Sequence, residues 1–404
     1  VKRLALIAVA GLLAAGCLND KLAGPFNADS TSANDAIMAS RHGRSGYRLP
    51  PPGAPGLRVM TYNVYLGTDL GPILQAGSQE EFLVAAFRAY AELQQTDFPA
   101  RAGRIAEEIA DVRPDVIGLQ EVALWSVSSP YDPVAQQGAP EVVQYDFLRL
   151  VLDSLRTHHL YYRAASADTT SDVAAPAPTA FDQTTGAPTA FALVRFQDRD
   201  VILVRAGVRY RDPQHGRFQA FIPLDLLGTE GALYRGWSSI EATVDGQTFR
   251  FLNTHLEAES PDVNYLQAQE LVGLLQNVHG PVIWVGDFNS DANTGAPSYA
   301  LISAAGFRDL WPLAHPRDPG LTNGPNDGVG ALDANGVLIP YPSLVFDKRI
   351  DLVLVRDRFG APDDVHAAIF GNQPDDRTAS GLWPSDHAAV GMVFELPMHL
   401  AHWR

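Results

Sequence analysis

Pro281-Val282-Ile283-Trp284-Val285-Gly286-Asp287-Phe288-Asn289-Ser290 decides how the rest of the chain is read. An apolar run of strand length stops at Gly286, and a carboxylate and a carboxamide follow, two positions apart. A run of this length bounded by glycine reads as a buried strand, and polar groups at a strand's carboxyl end are placed to line a crevice. Glycine, aspartate and asparagine also end strands merely because they favour turns. The stretch by itself therefore fixes a strand end and leaves the site open.

The same arrangement recurs on both sides of it. Residues 57–63 read as a strand ending at Asn63, with Leu57, Val59, Thr61 and Asn63 on one face. Residues 115–122 form a second apolar run carrying Glu121 at its end. Strands at 237–244 and 248–254 flank an Asp245-Gly246 hairpin signal, and His255 stands just past the second. Residues 349–355 and 388–396 read as buried strands; Asp351 falls inside the first, and Ser385-Asp386-His387 precedes the second. Further strands are expected at 191–196 and 201–208. Helical periodicity marks 78–95, 99–112 (closed by Pro114), 141–156, 262–278 and a short stretch at 298–305. Residues 164–190, rich in Ala, Thr, Pro and Asp, and the Pro/Gly/Asn-rich 311–346 read as long surface loops. There is no internal repeat, so residues 57–396 are read as one domain followed by a tail at 397–404.

Composition sets the outer limits. The chain has 404 residues, 46% of them hydrophobic and 19% charged, which suits a folded α/β protein with a large core. Its formal charge of −16 excludes a bulk attraction to phosphate backbones and leaves room for a locally basic or metal-bearing cleft. Lys2 and Arg3 precede an apolar run from Leu4 to Ala15 that is too short to span a bilayer comfortably and reads as a secretory signal over residues 1–16. Its end, Leu13-Ala14-Ala15-Gly16-Cys17, resembles a bacterial lipoprotein signal, with Ala14 where that pattern usually has Leu. The resemblance implies lipidation of Cys17, the only cysteine, followed by a flexible tether over 17–56. The expected location is therefore outside the cytoplasm, anchored to a bacterial envelope membrane and facing the periplasm or exterior. No obligate protein partner is evident.

Asn63, Glu121, His255, Asp287 with Asn289, Asp351, and Asp386 with His387 all lie at or near strand ends. A central sheet structure gathers them at one rim only if strand directions are mixed. Oxygen ligands such as Glu121, with Asp386 or Asn63 nearby, suit a hard cation such as Mg²⁺ or Mn²⁺; zinc prefers more His or Cys. Histidines beside such an ion can hold or protonate phosphoryl oxygens, and a desolvated Asp can take a proton from water. The set points to metal-assisted hydrolysis of a phosphate ester. Taken singly each residue has an ordinary explanation, such as a turn at Asn63 or an Arg349–Asp351 ion pair.

Tyr62-Asn63-Val64, Leu119-Gln120-Glu121-Val122, Asn253-Thr254-His255-Leu256, Gly286-Asp287-Phe288-Asn289, Arg349-Ile350-Asp351-Leu352 and Ser385-Asp386-His387 resemble, in order, the motif series of the endonuclease/exonuclease/phosphatase superfamily. The resemblance implies a four-layer α/β sandwich, two packed mixed β-sheets flanked by helices. It further implies Glu121 as the main metal ligand with Asn63 and Asp386 beside the ion, and Asp287 as the group that activates or orients water. Asn289 would position that water or a phosphate oxygen, His387 would contact the phosphate under the control of Asp351, and His255 would bind or protonate a phosphoryl oxygen. Arg235 is a further candidate for contacting substrate phosphate. A lipid head group or inositol phosphate is the favoured substrate class; a secreted Mg²⁺-dependent nuclease and a substrate-binding pseudoenzyme are the alternatives.

Overall fold

The computed structural model describes residues 47–182, 184–226, 229–326 and 328–397. The expected signal sequence, Cys17, most of the expected tether and residues 398–404 lie outside the described residues. The strands that build the two large sheets are, in chain order, Leu57–Asn63 (β1), Val116–Gln120 (β2), Leu124–Ser128 (β3), Val142–Asp146 (β4), Tyr162–Phe181 (β5), Pro188–Arg205 (β6), Arg209–Arg217 (β7), Gly236–Val244 (β8), Gln247–His255 (β9), Val282–Asp287 (β10), Arg308–Asp309 (β11), Asp351–Arg356 (β12), Asp363–Phe370 (β13) and Ala389–Glu395 (β14). The first sheet runs β13-β14-β1-β2-β6-β3-β4 with β5 paired along β6, and the second runs β11-β12-β10-β9-β8-β7.

Each large sheet is antiparallel except for one parallel pair, β1 with β2 and β9 with β10. Those two pairs put Asn63 opposite Gln120 and His255 opposite Asp287, all at carboxyl ends. β12 runs antiparallel to β10 and starts where β10 stops, so Asp351 stands across from Asp287. β14 is likewise antiparallel to β1, with Val390 opposite Thr61, which brings the preceding Asp386-His387 to the same rim.

Alternation of side chains explains the layering. Leu57 and Val59 of β1 turn inward to meet Ile283, Val285, Phe251 and Val353 of the second sheet in one buried cluster. Met60 and Tyr62 turn outward and pack with Ile105, Ile109 and Val112 from helix Phe98–Val112 (α2) and with Phe147 and Val151 from helix Phe147–Thr157 (α3). Trp284 and Leu252 of the second sheet pack outward with Leu271 and Leu275 of helix Pro261–Leu275 (α4) and Ile302 of helix Pro297–Ala304 (α5). The result is the expected four-layer sandwich. Helix Gln79–Gln95 (α1), capped by the Ser78 hydroxyl accepting from Glu81 N at 3.2 Å, lies against β5 and β6. No helix among the described residues is long and apolar enough to cross a membrane.

A polar bridge joins the sheets at their centre. Gln120 Nε2 donates to Asn253 Oδ1 at 2.6 Å, and Asn253 Nδ2 donates to the carbonyls of Leu119 and Val201. The approach requires Gly118, because a Cβ there would sit 2.5 Å from both Asn253 Oδ1 and Val285 Cγ2.

Several expectations are corrected. Residues 164–190 are no surface loop: β5 and β6 form a long hairpin in which Tyr162 pairs with Arg205 and Phe181 with Pro188. Pro176 and Pro178 are tolerated because β5 is an edge strand, where a missing N–H breaks no second ladder. The two strands expected at 191–196 and 201–208 are one continuous strand, β6. The helix expected from 141 begins only at Phe147, because the β-branched Val142-Val143 pair with β3 and Asp146 caps the helix by accepting from Arg149 N. Asp351 opens its strand rather than lying inside it. Residues 311–346 are loop for the most part but hold a helical turn, Trp311–Ala314, and a short hairpin, Gly330–Leu332 with Leu338–Pro340. Residues 47–56, read as the end of the tether, lie against the domain: Leu49 is buried, Tyr47 Oη donates to Asp318 and Arg58 donates to the carbonyl of Pro50.

Candidate active site

A cavity of about 720 Å³ opens at the rim where the two parallel pairs end. Glu121, Arg235, His255, Asp287, Asn289, Asp386 and His387 line it. Asn63 and Asp351, both buried, sit immediately behind and hold lining residues by hydrogen bonds. All the candidates read from the sequence except Cys17 are therefore brought to one place.

Asp287 is at the centre. Gly286 throws it there: its φ of 150° and a Cβ that would lie 2.0 Å from Thr254 O both demand glycine. Asp287 Oδ1 accepts from the backbone N–H of Asn289 at 2.9 Å, and Oδ2 accepts from Asn63 Nδ2 at 3.1 Å. Its Oδ2 also lies 3.5 Å from His255 Nε2 and 3.7 Å from His387 Nε2. Burial, reinforced by the charge of Asp351 and opposed by His387, pushes the Asp287 carboxyl up to about 6.

The two imidazoles are in opposite states. His387 Nδ1 donates to Asp351 Oδ2 at 2.9 Å. Burial works against its charge, yet the carboxylates of Asp351 and Asp287 outweigh that and raise the imidazole well above its ordinary value, so it is an imidazolium. His255 is lowered well below its ordinary value by burial and by the neighbouring Arg235 and His387, so it is neutral. Arg235 Nη1 donates to His255 Nδ1 at 3.0 Å. A guanidinium cannot accept, so the His255 proton sits on Nε2 and faces Asp287 and the cavity.

Glu121 faces this group from the first sheet. Its backbone is left-handed, φ 59°, as the chain turns away from β2. Oε1 accepts from Asn63 Nδ2 at 3.0 Å and Oε2 from Leu66 N at 2.7 Å. Burial, and then the charges of Asp386 and Asp198, raise its carboxyl to about 7. Asp386 Oδ2 accepts from Gly328 N at 3.0 Å. Two carboxylates that repel across a desolvated cavity, each with lone pairs still unused, match what an oxygen-preferring divalent cation needs. Among the described residues, ligand-capable atoms of Asp287, Asp351 and His387 also lie within 4.8 Å of one another. There the cationic His387 already neutralises the carboxylates, and an imidazolium has no lone pair for a metal.

The Arg349–Asp351 pairing is excluded: Arg349 Nη1 binds Asp309 Oδ2 at 2.5 Å. Residues that the sequence reading passed over include Asp198, which lines the cavity and lies 3.5 Å from Arg235, and Asp200, fully buried with no hydrogen-bond partner on either carboxylate oxygen. Their signal was present in Asp198-Arg199-Asp200, a charged triplet leading into the apolar Val201-Ile202-Leu203-Val204. Arg101 was also missed. Wholly buried in α2, it donates to the carbonyls of Val64, Tyr65, Thr96 and Pro384, and so ties the turn after Asn63 to the turn before Asp386.

Known proteins share this fold. A solved family member from Leptotrichia buccalis superposes with a TM-score of 0.50 at 16% identity, covering 84% of this chain and 100% of that one, which shows the shared fold. TDP2 from D. rerio, complexed with a single-strand DNA product, is similar at TM-score 0.46 and 15% identity over 84% of this chain and 99% of that one. A mannosyl-6-phosphatase from Bacteroides thetaiotaomicron is similar at TM-score 0.42 and 15% identity over 84% and 100%. No curated protein matches significantly in sequence. The model of the endonuclease/exonuclease/phosphatase family matches residues 60–387, from within β1 to the cationic histidine of the site, and the chain belongs to that family of phosphoric ester hydrolases.

Proposed function

We propose that the protein is a divalent-metal-dependent phosphoesterase that cleaves a phosphodiester or phosphomonoester by in-line attack of water, with Mg²⁺ the preferred ion and Mn²⁺ a substitute. The observation that carries this reading is the pairing of an imidazolium and a neutral imidazole around one carboxylate, within 3.5 to 3.7 Å of its Oδ2. A carboxyl near 6 is ionised at neutral pH and basic enough to take a proton from water. Asn289, held by its backbone bond to Asp287 and its Nδ2 bond to Leu256 O, fixes the water's direction of approach. His387 supplies positive charge to a phosphoryl oxygen, and the Nε2–H of His255 donates to another. Arg235 holds that tautomer and adds a second positive charge. Glu121 and Asp386, with Asn63 steadying Glu121, would hold the cation, which when bound neutralises charge developing on the phosphoryl group.

A small head group is favoured over nucleic acid as the substrate. The cavity wall carries Asp69, Asp198, Glu257, Glu259 and Asp291 against Arg235 and Lys348, a poor match to a run of backbone phosphates. We further propose export and lipid attachment through Cys17, on the signal-like residues 1–16. The test of the activity is a panel of plasmid DNA, RNA, phospholipid vesicles and inositol phosphates, each with Mg²⁺, Mn²⁺, Ca²⁺ or chelator. Hydrolysis of a head-group ester that chelator abolishes is expected. Degradation of nucleic acid alone would select the nuclease reading, and turnover that persists in chelator would sink the metal assignment.

A further inference from the structure

Beside the phosphoryl cavity lies a second hollow of about 80 Å³, set between α1 and the β5–β6 hairpin. The two share Thr68, Leu70, Leu74, Phe196 and Leu233, so they adjoin. Nothing charged lines the hollow. Its potentially polar groups are turned away and satisfied: Thr68 Oγ1 donates to Glu92, Tyr90 Oη to Gln144 and Trp125 Nε1 to Leu66 O. Ala86, Ala89, Ala175 and Ala177 keep it open where larger side chains would close it. The apolar wall continues along the strand that carries catalytic-cavity groups, since Phe196 and Asp198 are two apart on β6 and both line the phosphoryl cavity.

We infer that this groove receives a hydrocarbon arm of the substrate, and that the enzyme acts on amphiphilic phosphate esters, in which a phosphate bound at the polar cavity carries an aliphatic chain. The inference rests on the phosphoesterase reading for its catalytic half and on the groove alone for its binding half. A sugar or a second phosphate finds no hydrogen-bond partner or countercharge in the groove, and burying either there is costly. An alkyl chain finds a dry surface continuous with the site that holds its head.

The test uses methylphosphonate and hexylphosphonate, whose P–C bonds resist hydrolysis, titrated calorimetrically into the wild-type protein with Mg²⁺. Each methylene taken from water tightens binding roughly fourfold. Two buried methylenes are therefore expected to give hexylphosphonate a Kd at least about tenfold below that of methylphosphonate. Ile73→Asn, at a half-buried position of the groove, should remove that preference and leave the methylphosphonate Kd unchanged. Ala86→Phe, which fills the groove, should do the same, with circular dichroism checking that it folds. Equal Kd values for the two phosphonates in wild type, no binding of hexylphosphonate at millimolar concentration, or a preference that survives Ile73→Asn would each overturn the inference. Chain-length preference without hydrolysis of any ester would leave the groove standing and remove the catalytic reading; hydrolysis with equal phosphonate binding would do the reverse.

Discussion

At the scale of single residues, burial and charge make definite statements about pH. Asp287 carries a proton below about 6 and is ionised above it. A base must be ionised, so at saturating Mg²⁺ kcat/KM should climb with pH up to about 6 and then level off, because His387 keeps its proton well beyond that point. Asp287→Asn should lower kcat by roughly 10² to 10⁴-fold and flatten the acid limb; steady-state kinetics from pH 4.5 to 9 on the substrate found in the panel checks both. Glu121 makes a second prediction. Its folded-state carboxyl, near 7, lies above the ordinary range, so the protonated form is favoured by folding. That contribution is complete below the ordinary carboxylate pKa and is lost as pH rises through about 7. In chelator, Tm should therefore fall from pH 5 to pH 8 more steeply in the wild type than in Glu121→Gln. Mg²⁺ should raise the wild-type Tm more at pH 8 than at pH 5, since it binds the ionised form. Equal slopes for the two proteins would show that Glu121 is not held in a desolvated, like-charged position.

At the scale of elements, the rim is held by contacts that are not themselves chemical. The guanidinium of Arg101 donates to four carbonyls and lies over the rings of Phe98 and Tyr65 at 4.8 and 5.2 Å. Arg101→Met leaves those carbonyls buried without donors, and each costs about 1–3 kcal/mol. Chemical denaturation should register a loss of at least about 3 kcal/mol, and Arg101→Lys, with no planar fork, should recover only part of it. The same scale shows what the sequence made legible. Strand ends were readable because Gly286-Asp287 and Gln120-Glu121 break an apolar run abruptly, and the site was readable because those breaks recur in family order. The β5–β6 hairpin was not, because Pro176, Pro178 and six alanines from residue 164 to 177 carry loop composition. Only its pairing with β6, an interaction between residues far apart in order, makes the segment a strand. Arg101 was illegible for a related reason: a charged residue in an amphipathic helix reads as a solvated face until the turns it serves are folded around it.

At the scale of the whole molecule, the proposed anchor at Cys17 bears on where the protein works. Conversion of Cys17 to serine should release the protein from the membrane fraction if the cysteine carries the anchor, with ester hydrolysis in solution unchanged; wild type and Cys17→Ser recovered alike in the soluble fraction would count against anchoring. The sheets that carry the site are bolted together by Gln120, Asn253 and the close approach at Gly118. A frame fixed in that way holds the rim of the site in place when a ligand arrives. The heat capacity change of binding should then report only the surface of the ligand and of its pocket, without a folding contribution from the protein. Across a series of alkylphosphonates it should grow in proportion to chain length, so that the calorimeter measures the groove as a ruler would.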